Sequence, residues 1–184
     1  MADSFWTDVA VDPKRSFRWI FRLSNLVDQW LVRSVKKPSF SVGNIAHQYI
    51  NHTFYYPGRV NWNPVDVTIV DPAGSPNVKT GNDSARSVLL SVLQAGYKFP
   101  NTRTDSATSI SKEKANTALG TPILEQIDSD GNPIEEWILK NAWVESVDFG
   151  NLDYGSEEMV TISMTLRYDW AELNVGAALT PVRL

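Results

Sequence analysis

Hydrophobic and polar positions alternate with period two over most of this chain, the spacing of strands with one buried face. In SFRWIFRL, Phe17, Trp19, Phe21 and Leu23 point one way while Ser16, Arg18, Ile20 and Arg22 point the other, which predicts a half-buried strand over 16–23. Leu31 to Val35 and Ser39 to Val42 are short extended runs, separated by Lys36-Lys37-Pro38. A proline there breaks ladder pairing unless it lies on an edge or a bulge. His47 to Tyr56, HQYINHTFYY, is aromatic and mixed, and Pro57-Gly58 after it carries a turn signal. Val65, Val67 and Ile69 then form the apolar face of a strand, VDVTIV, that Asp71-Pro72 terminates.

The period changes once. After a loop from Asp71 to Gly81, Asp83 offers an N-cap for SARSVLLSVLQA, where Ala85, Val88, Leu89, Val92 and Leu93 form an apolar stripe and Gly96 a stop. The spacing predicts a helix over 84–95 that packs Val88, Leu89 and Val92 on the outer side of a β-core. Ser106 to Leu119 is polar with a weak helical pattern and reads as a long loop holding a helical turn or two. Strands resume at Ile123 to Ile127, turn at Asp130-Gly131 and return over Glu135 to Phe149. There Trp137, Leu139, Trp143, Val147 and Phe149 share a parity that Asn141 and Glu145 interrupt. A β-bulge near Asn141, or a neighbour covering both faces, would mend the phase. In the last strand Val160, Ile162, Met164, Leu166 and Tyr168 share one face, and Thr161, Ser163, Thr165 and Arg167 the other.

Composition narrows the class. A chain of 184 residues, 42% hydrophobic, suits a single domain with one core, and its seven Trp, seven Phe and six Tyr in strand-like contexts favour a β-rich fold. A formal charge of -4 argues against a protein that grips phosphate backbones, which needs a concentrated Lys/Arg surface. With no cysteine, disulfide frameworks and thiolate metal sites are excluded. No stretch approaches the ~20 apolar residues of a membrane span, and MADSFWTDVAVDPKRS has no signal-peptide run, so a soluble cytoplasmic protein without a membrane anchor is expected.

Candidate chemistry fails motif by motif. The only histidines, His47 and His52, are spaced by five, which within one strand puts them on opposite faces. Asp128-Ser129-Asp130-Gly131 hints at a calcium loop, but with Gly131 at the sixth position Gln126 falls at the first and Trp137 at the twelfth, where a carboxylate is required. Gly74 to Thr80 ends in Lys-Thr yet has Val78 where a phosphate-binding loop needs glycine. Glu135-Glu136 and Glu157-Glu158 are adjacent, so in strands they cannot flank one bond. No catalytic, cofactor-binding or metal-ligating residue emerges, and neither enzyme activity nor a cofactor is expected.

Two segments carry a likeness instead. NAWVESVDFGNLDYGSEEMVTISMTLRYDWA resembles the C-terminal strand pair of tail tube proteins from bacteriophages with contractile tails, with its Leu-Asp-Tyr connector and its Thr-rich strand ending in Tyr-Asp. HTFYYPGRVNWNPVDVTIVDP is similar to that family's central segment, where a long hairpin ends in Pro-Gly-Arg and feeds a strand.

The resemblance spans roughly Phe17 to Trp170. It implies a mainly β fold, a β-sandwich or barrel with one flanking α-helix and long loops, whose strands join an inter-subunit inner barrel. One tail-tube domain would occupy 1–184, with an N-terminal arm (1–15) and a C-terminal tail (171–184). It also implies a structural virion protein, assembled in the bacterial host cytoplasm, whose hexameric rings stack into a tube for DNA ejection. The implied partners are other copies of itself, the tail sheath protein, baseplate and tail-terminator proteins, a tape measure protein in the lumen, and DNA in transit that is not tightly bound. Six subunits of -4 would give a ring of -24, suited to a conduit that must release DNA.

The run Lys36 to Val60 is too long and aromatic for a surface hairpin, so Lys36, Lys37, Phe40, His47, Tyr49, His52, Tyr55 and Arg59 are its candidate inter-subunit or inter-ring contacts. Thr161, Ser163 and Thr165 are candidates to face the lumen. Arg18, Arg22 and Arg167 are expected to pair with carboxylates or sit at subunit contacts. Alternative readings are a baseplate tube initiator, the tube protein of a contractile injection system, a ligand-binding β-sandwich, and an enzyme with an unrecognised site.

Overall fold

The computed structural model describes residues 13–23, 26–72, 84–99, 108–176 and 180–181. The expected Asp83 cap, the Lys-Thr loop, and most of the N-terminal arm lie outside the described residues. One antiparallel sheet runs in the order β1 (Trp19–Arg22), β6 (Ile123–Ile127), β7 (Pro133–Lys140), β10 (Trp170–Val175), β11 (Thr180–Pro181). A second runs β2 (Val32–Val35), β5 (Val65–Val70), β9 (Thr161–Arg167), β8 (Trp143–Asp148). A separate hairpin pairs β3 (Ser39–Tyr49) with β4 (His52–Asn63). Two helices, α1 (Ser84–Gln94) and α2 (Lys112–Leu119), complete the mainly β fold.

The two larger sheets share one core. Phe21, Leu124 and Leu139 enter it from the first, and Val65, Val67, Ile69, Met164 and Leu166 from the second, with Val88 and Leu119 from the helices. The alternation in β5 and β9 is realised in register: Val65 faces Leu166, Val67 faces Met164 and Ile69 faces Ile162, and all six are buried.

Several expectations need correction. The run 135–149 is two strands in different sheets, because Asn141 adopts a left-handed conformation (φ 54°) and turns the chain from β7 into β8. The slipped phase there marks a change of sheet, and Asn tolerates that conformation better than most residues. Ser106 to Leu119 is no plain loop: Ser111 accepts a hydrogen bond from the Lys114 N–H and starts α2, which ends at Gly120 (φ 76°). Among the described residues two helices therefore flank the core instead of one. The segment read as a C-terminal tail from 171 opens with most of β10, paired to β7.

In α1 the inward face is Ser84, Val88 and Ser91, with Ala95 buried just after it, while Leu89 is 41% exposed and Leu90 equally so. Small residues let α1 lie close to its neighbours, and Asp71 at the end of β5 accepts from the Ala85 N–H at 3.3 Å. This rotates the stripe predicted from Val88, Leu89 and Val92 by roughly one residue step, about 100°.

Leu166→Ala should therefore destabilise the isolated subunit by about 2–5 kcal/mol. Leu89→Ala should change it by no more than about 0.5 kcal/mol. Urea unfolding of both variants, below any concentration at which the protein assembles, checks the contrast.

Candidate functional site

The second sheet has one apolar face in the core and one polar face outside it. On that outer face Thr165 pairs with Asp66, Ser163 with Thr68 and Thr161 with Val70. The three residues expected to face a lumen thus share one surface, and the Thr165 hydroxyl donates to Asp66 at 3.1 Å. Two of the cations here, Arg167 and Lys36, face carboxylates, whereas Arg33 in β2 forms no ion pair among the described residues. Arg167 forms a forked pair with Glu145, Nη2 to Oε1 at 2.7 Å and Nε to Oε2 at 3.1 Å. Lys36 lies 3.9 Å from Asp66. Elsewhere Arg22 pairs with Glu125 at 2.8 Å, and the Arg18 guanidinium lies over the Phe17 ring.

Edges matter as much as faces. β2 and β8 are the outer strands of this sheet, so each leaves one side of its backbone without a ladder partner in the sheet.

The hairpin is longer than its sequence signals suggested. Pro57-Gly58 is not its turn. The turn is Ile50-Asn51, with Ile50 at φ 52°, a conformation rare for a β-branched residue. Pro57, Gly58 and Arg59 lie in β4 at a bulge: Val42 pairs with Val60, but Asn44 pairs with Pro57. A side chain on Gly58 would meet the Gly43 backbone at 3.1 Å, so the two strands approach closely there.

The bulge moves the aromatic residues from one face to the other. Below it, Phe40 packs edge-on against Trp62 at 5.3 Å, and Trp62 reaches Tyr168 at 5.9 Å. Beyond it, Ile45 pairs with Tyr56, His47 with Phe54 and Tyr49 with His52, so these six share the opposite face. The two histidines, expected on opposite faces of one strand, are diagonal neighbours on one face because the turn falls between them. Tyr55 lies on the other face, paired with Ala46. Every residue from Phe40 through Pro57 is exposed. Among the described residues no three His, Asp or Glu side chains converge to hold a metal.

Lys37 is engaged within the subunit. Its ammonium donates to Glu135 at 2.6 Å and to Gln126 at 2.7 Å, and Lys14 and the Trp137 indole also donate to Glu135. Burial opposes ionisation of Glu135, but the hydrogen bonds from Lys14, Lys37 and Trp137 outweigh it and bring the pKa from 4.5 to about 2. This cluster anchors the base of the hairpin to β6 and β7, a role that sequence spacing did not reveal, since Lys37 and Glu135 are far apart in the chain.

Because the native state holds Glu135 ionised to lower pH than the unfolded chain does, the cluster's stabilisation is present above pH 4.5 and lost as pH falls towards 2. Glu135→Gln should lower stability at neutral pH and flatten the decline across that window. Thermal unfolding over a pH series measures both.

The connector between β8 and β9 is also ordered and exposed. Gly150 (φ 79°) is required, since a side chain would meet the Thr161 carbonyl at 2.6 Å. Asp148 accepts from the Gly150 N–H and Asp153 from the Gly155 N–H, each at 2.9 Å, while Leu152, Tyr154 and Met159 project outward.

No protein-family model matches the sequence, and no curated protein matches it. Solved structures do match the fold. A chain of the anti-feeding prophage cap, the tube-terminating cap, is 15% identical with a TM-score of 0.63, covering 92% of this chain and 96% of that one. A chain of the sheath-tube complex of the extracellular contractile injection system PVC, in its extended state, is 14% identical with a TM-score of 0.62, covering 95% and 100%. A chain of the PVC sheath/tube terminator is 14% identical with a TM-score of 0.61, covering 90% and 99%. This chain therefore shares, over nearly its whole length, the fold of chains from the tube-related parts of contractile injection systems.

Proposed function

We propose that this protein is a structural subunit of the inner tube of a contractile, phage-like tail. The observation that carries the reading is the four-stranded antiparallel sheet with a buried apolar face, a polar outer face and two open edges. β2 and β8 run in opposite directions, so rotating one copy to set its β2 beside the β8 of another continues the antiparallel alternation. Six copies would close a barrel of twenty-four strands, well beyond the roughly 16–18 strands that already enclose an aqueous channel. Thr161, Ser163 and Thr165 would then line the channel. The exposed aromatic hairpin supports stacking: an isolated hairpin is marginally stable in water, and apolar patches of this kind mark interaction surfaces. The sheath, baseplate, terminator and tape measure are the partners of such a tube, and DNA its cargo.

The polar face suits passage of DNA without capture. Arg167 and Lys36 are offset by Glu145 and Asp66, which interrupts any continuous basic track. Its likeness to a chain of the tube-terminating cap keeps a second reading, a terminal ring component, in view. Negative-stain imaging separates the two: repeated tubes support the tube subunit, solitary rings the terminal component, and persistent monomers at high concentration contradict both.

Deleting Gly43 to Thr53 should leave a folded subunit that no longer stacks, and long tubes from that variant would contradict the hairpin's role. Subunits and tubes should bind duplex DNA weakly and with little dependence on salt. Micromolar affinity with a steep salt slope would favour a nucleic-acid-packaging role.

A further inference from the structure

The two open edges of the second sheet differ in charge. Residues 32–38, VRSVKKP, carry three basic side chains and no acid, whereas 143–160 carry Glu145, Asp148, Asp153, Glu157 and Glu158 and no Lys or Arg. Contacts within the subunit use up only part of each set. Lys37 is held by Glu135, and Glu145 by Arg167. Asp28, the acid nearest β2 on its N-terminal side, is already engaged within the subunit. Arg33, Glu157 and Glu158 form no ion pair among the described residues, and Lys36 has only the long contact with Asp66.

Each edge also presents apolar surface. Just before β2, Trp30 is 74% exposed in the short 3-10 turn Gln29–Leu31. Just after β8, Leu152 is 86% exposed on the connector, whose own hydrogen bonds hold its shape. Both features lie at the same end of the sheet: Val32 is level with Ile69 and Ile162, and Asp148 with Ser163.

We infer that Trp30 and Arg33 of one subunit seat against the acidic, apolar connector of a second copy. The inference rests on the ring reading above and names the contact that would close the ring. A basic edge meeting an acidic one is a head-to-tail contact, which generates a ring when its rotation closes. It also disfavours the two mismatched pairings, β2 with β2 and β8 with β8, because each brings like charges together. Arg33, next to Val32 at that end of the sheet, would reach Glu157 or Glu158, and Trp30 would bury its ring against Leu152.

Because the chain has no cysteine, the contact can be mapped without background. A Trp30→Cys/Leu152→Cys variant, treated with a short bismaleimide under assembling conditions, should give a ladder of covalent oligomers, while either single variant should stay largely uncross-linked. Glu157→Lys with Glu158→Lys should raise the protein concentration needed for assembly by roughly tenfold or more at low salt, and high salt should narrow the gap. Adding Arg33→Glu to that chain should restore part of the lost assembly, and circular dichroism would confirm that each variant is folded. Rings that give no ladder and tolerate the charge reversal would overturn this contact while leaving the ring reading intact. Wild-type protein that stays monomeric would overturn both.

Discussion

The fold depends on two adjacent crossings between its larger sheets. At Asn141 the chain leaves β7 for β8, and at Asp169 it returns from β9 to β10. The Asp169 N–H donates to the Lys140 carbonyl at 3.0 Å, and its carboxylate accepts from Asn141 at 2.8 Å and from Lys112 at 2.6 Å. Lys112 and Asn141 hold the Asp169 carboxyl below the usual carboxylate range, so it stays charged where it is needed. One side chain thus ties both crossings to the start of α2, with Ala142 fully buried between them. The closing Tyr168-Asp169-Trp170 is accordingly a joint: Tyr168 packs into the core, Asp169 fastens the crossing, and Trp170 begins the next strand.

Once the sheets are joined this way, the second sheet has little freedom. Its apolar face must meet the first sheet, which leaves Asp66, Thr68, Ser163 and Thr165 facing outward. Its chain order leaves β2 and β8 as edges that no element of the subunit covers within the sheet. Open edges are an aggregation hazard in a monomer, but they become the means of assembly when the pairing is specified. In the assembly we propose, charge would specify the pairing: acids gather beside β8 and bases beside β2, and the bulge at Gly43 and Gly58 turns the hairpin's aromatic face away from the side that packs at its base.

Much of this was legible in the sequence, for a physical reason. Period-two alternation survives wherever a strand has one dry and one wet face, so β5 and β9 and their buried residues read directly. The turn at Asp130-Gly131 and the helix stop at Gly96 were signalled by residues with few conformational alternatives. Legibility failed where tertiary context governs. Ile50-Asn51 is a poor turn sequence, and Pro57-Gly58 a good one that serves as a bulge instead. Leu89 belongs to a plausible stripe, yet the helix buries Ser84, Val88 and Ser91 because close approach suits small side chains. The Lys37–Glu135 pair joins residues distant in sequence, and no local pattern announces it.

The central claim is that the second sheet continues from copy to copy, and amide hydrogen exchange tests it most directly. In isolated subunits the outward amides of β2 and β8 should exchange quickly, while those of β5 and β9, paired on both sides, should be protected. In assembled material the β2 and β8 amides should become as slow as those of the central strands. If they still exchange freely in assembled rings, the copies are joined by some other surface and the continuous barrel is wrong.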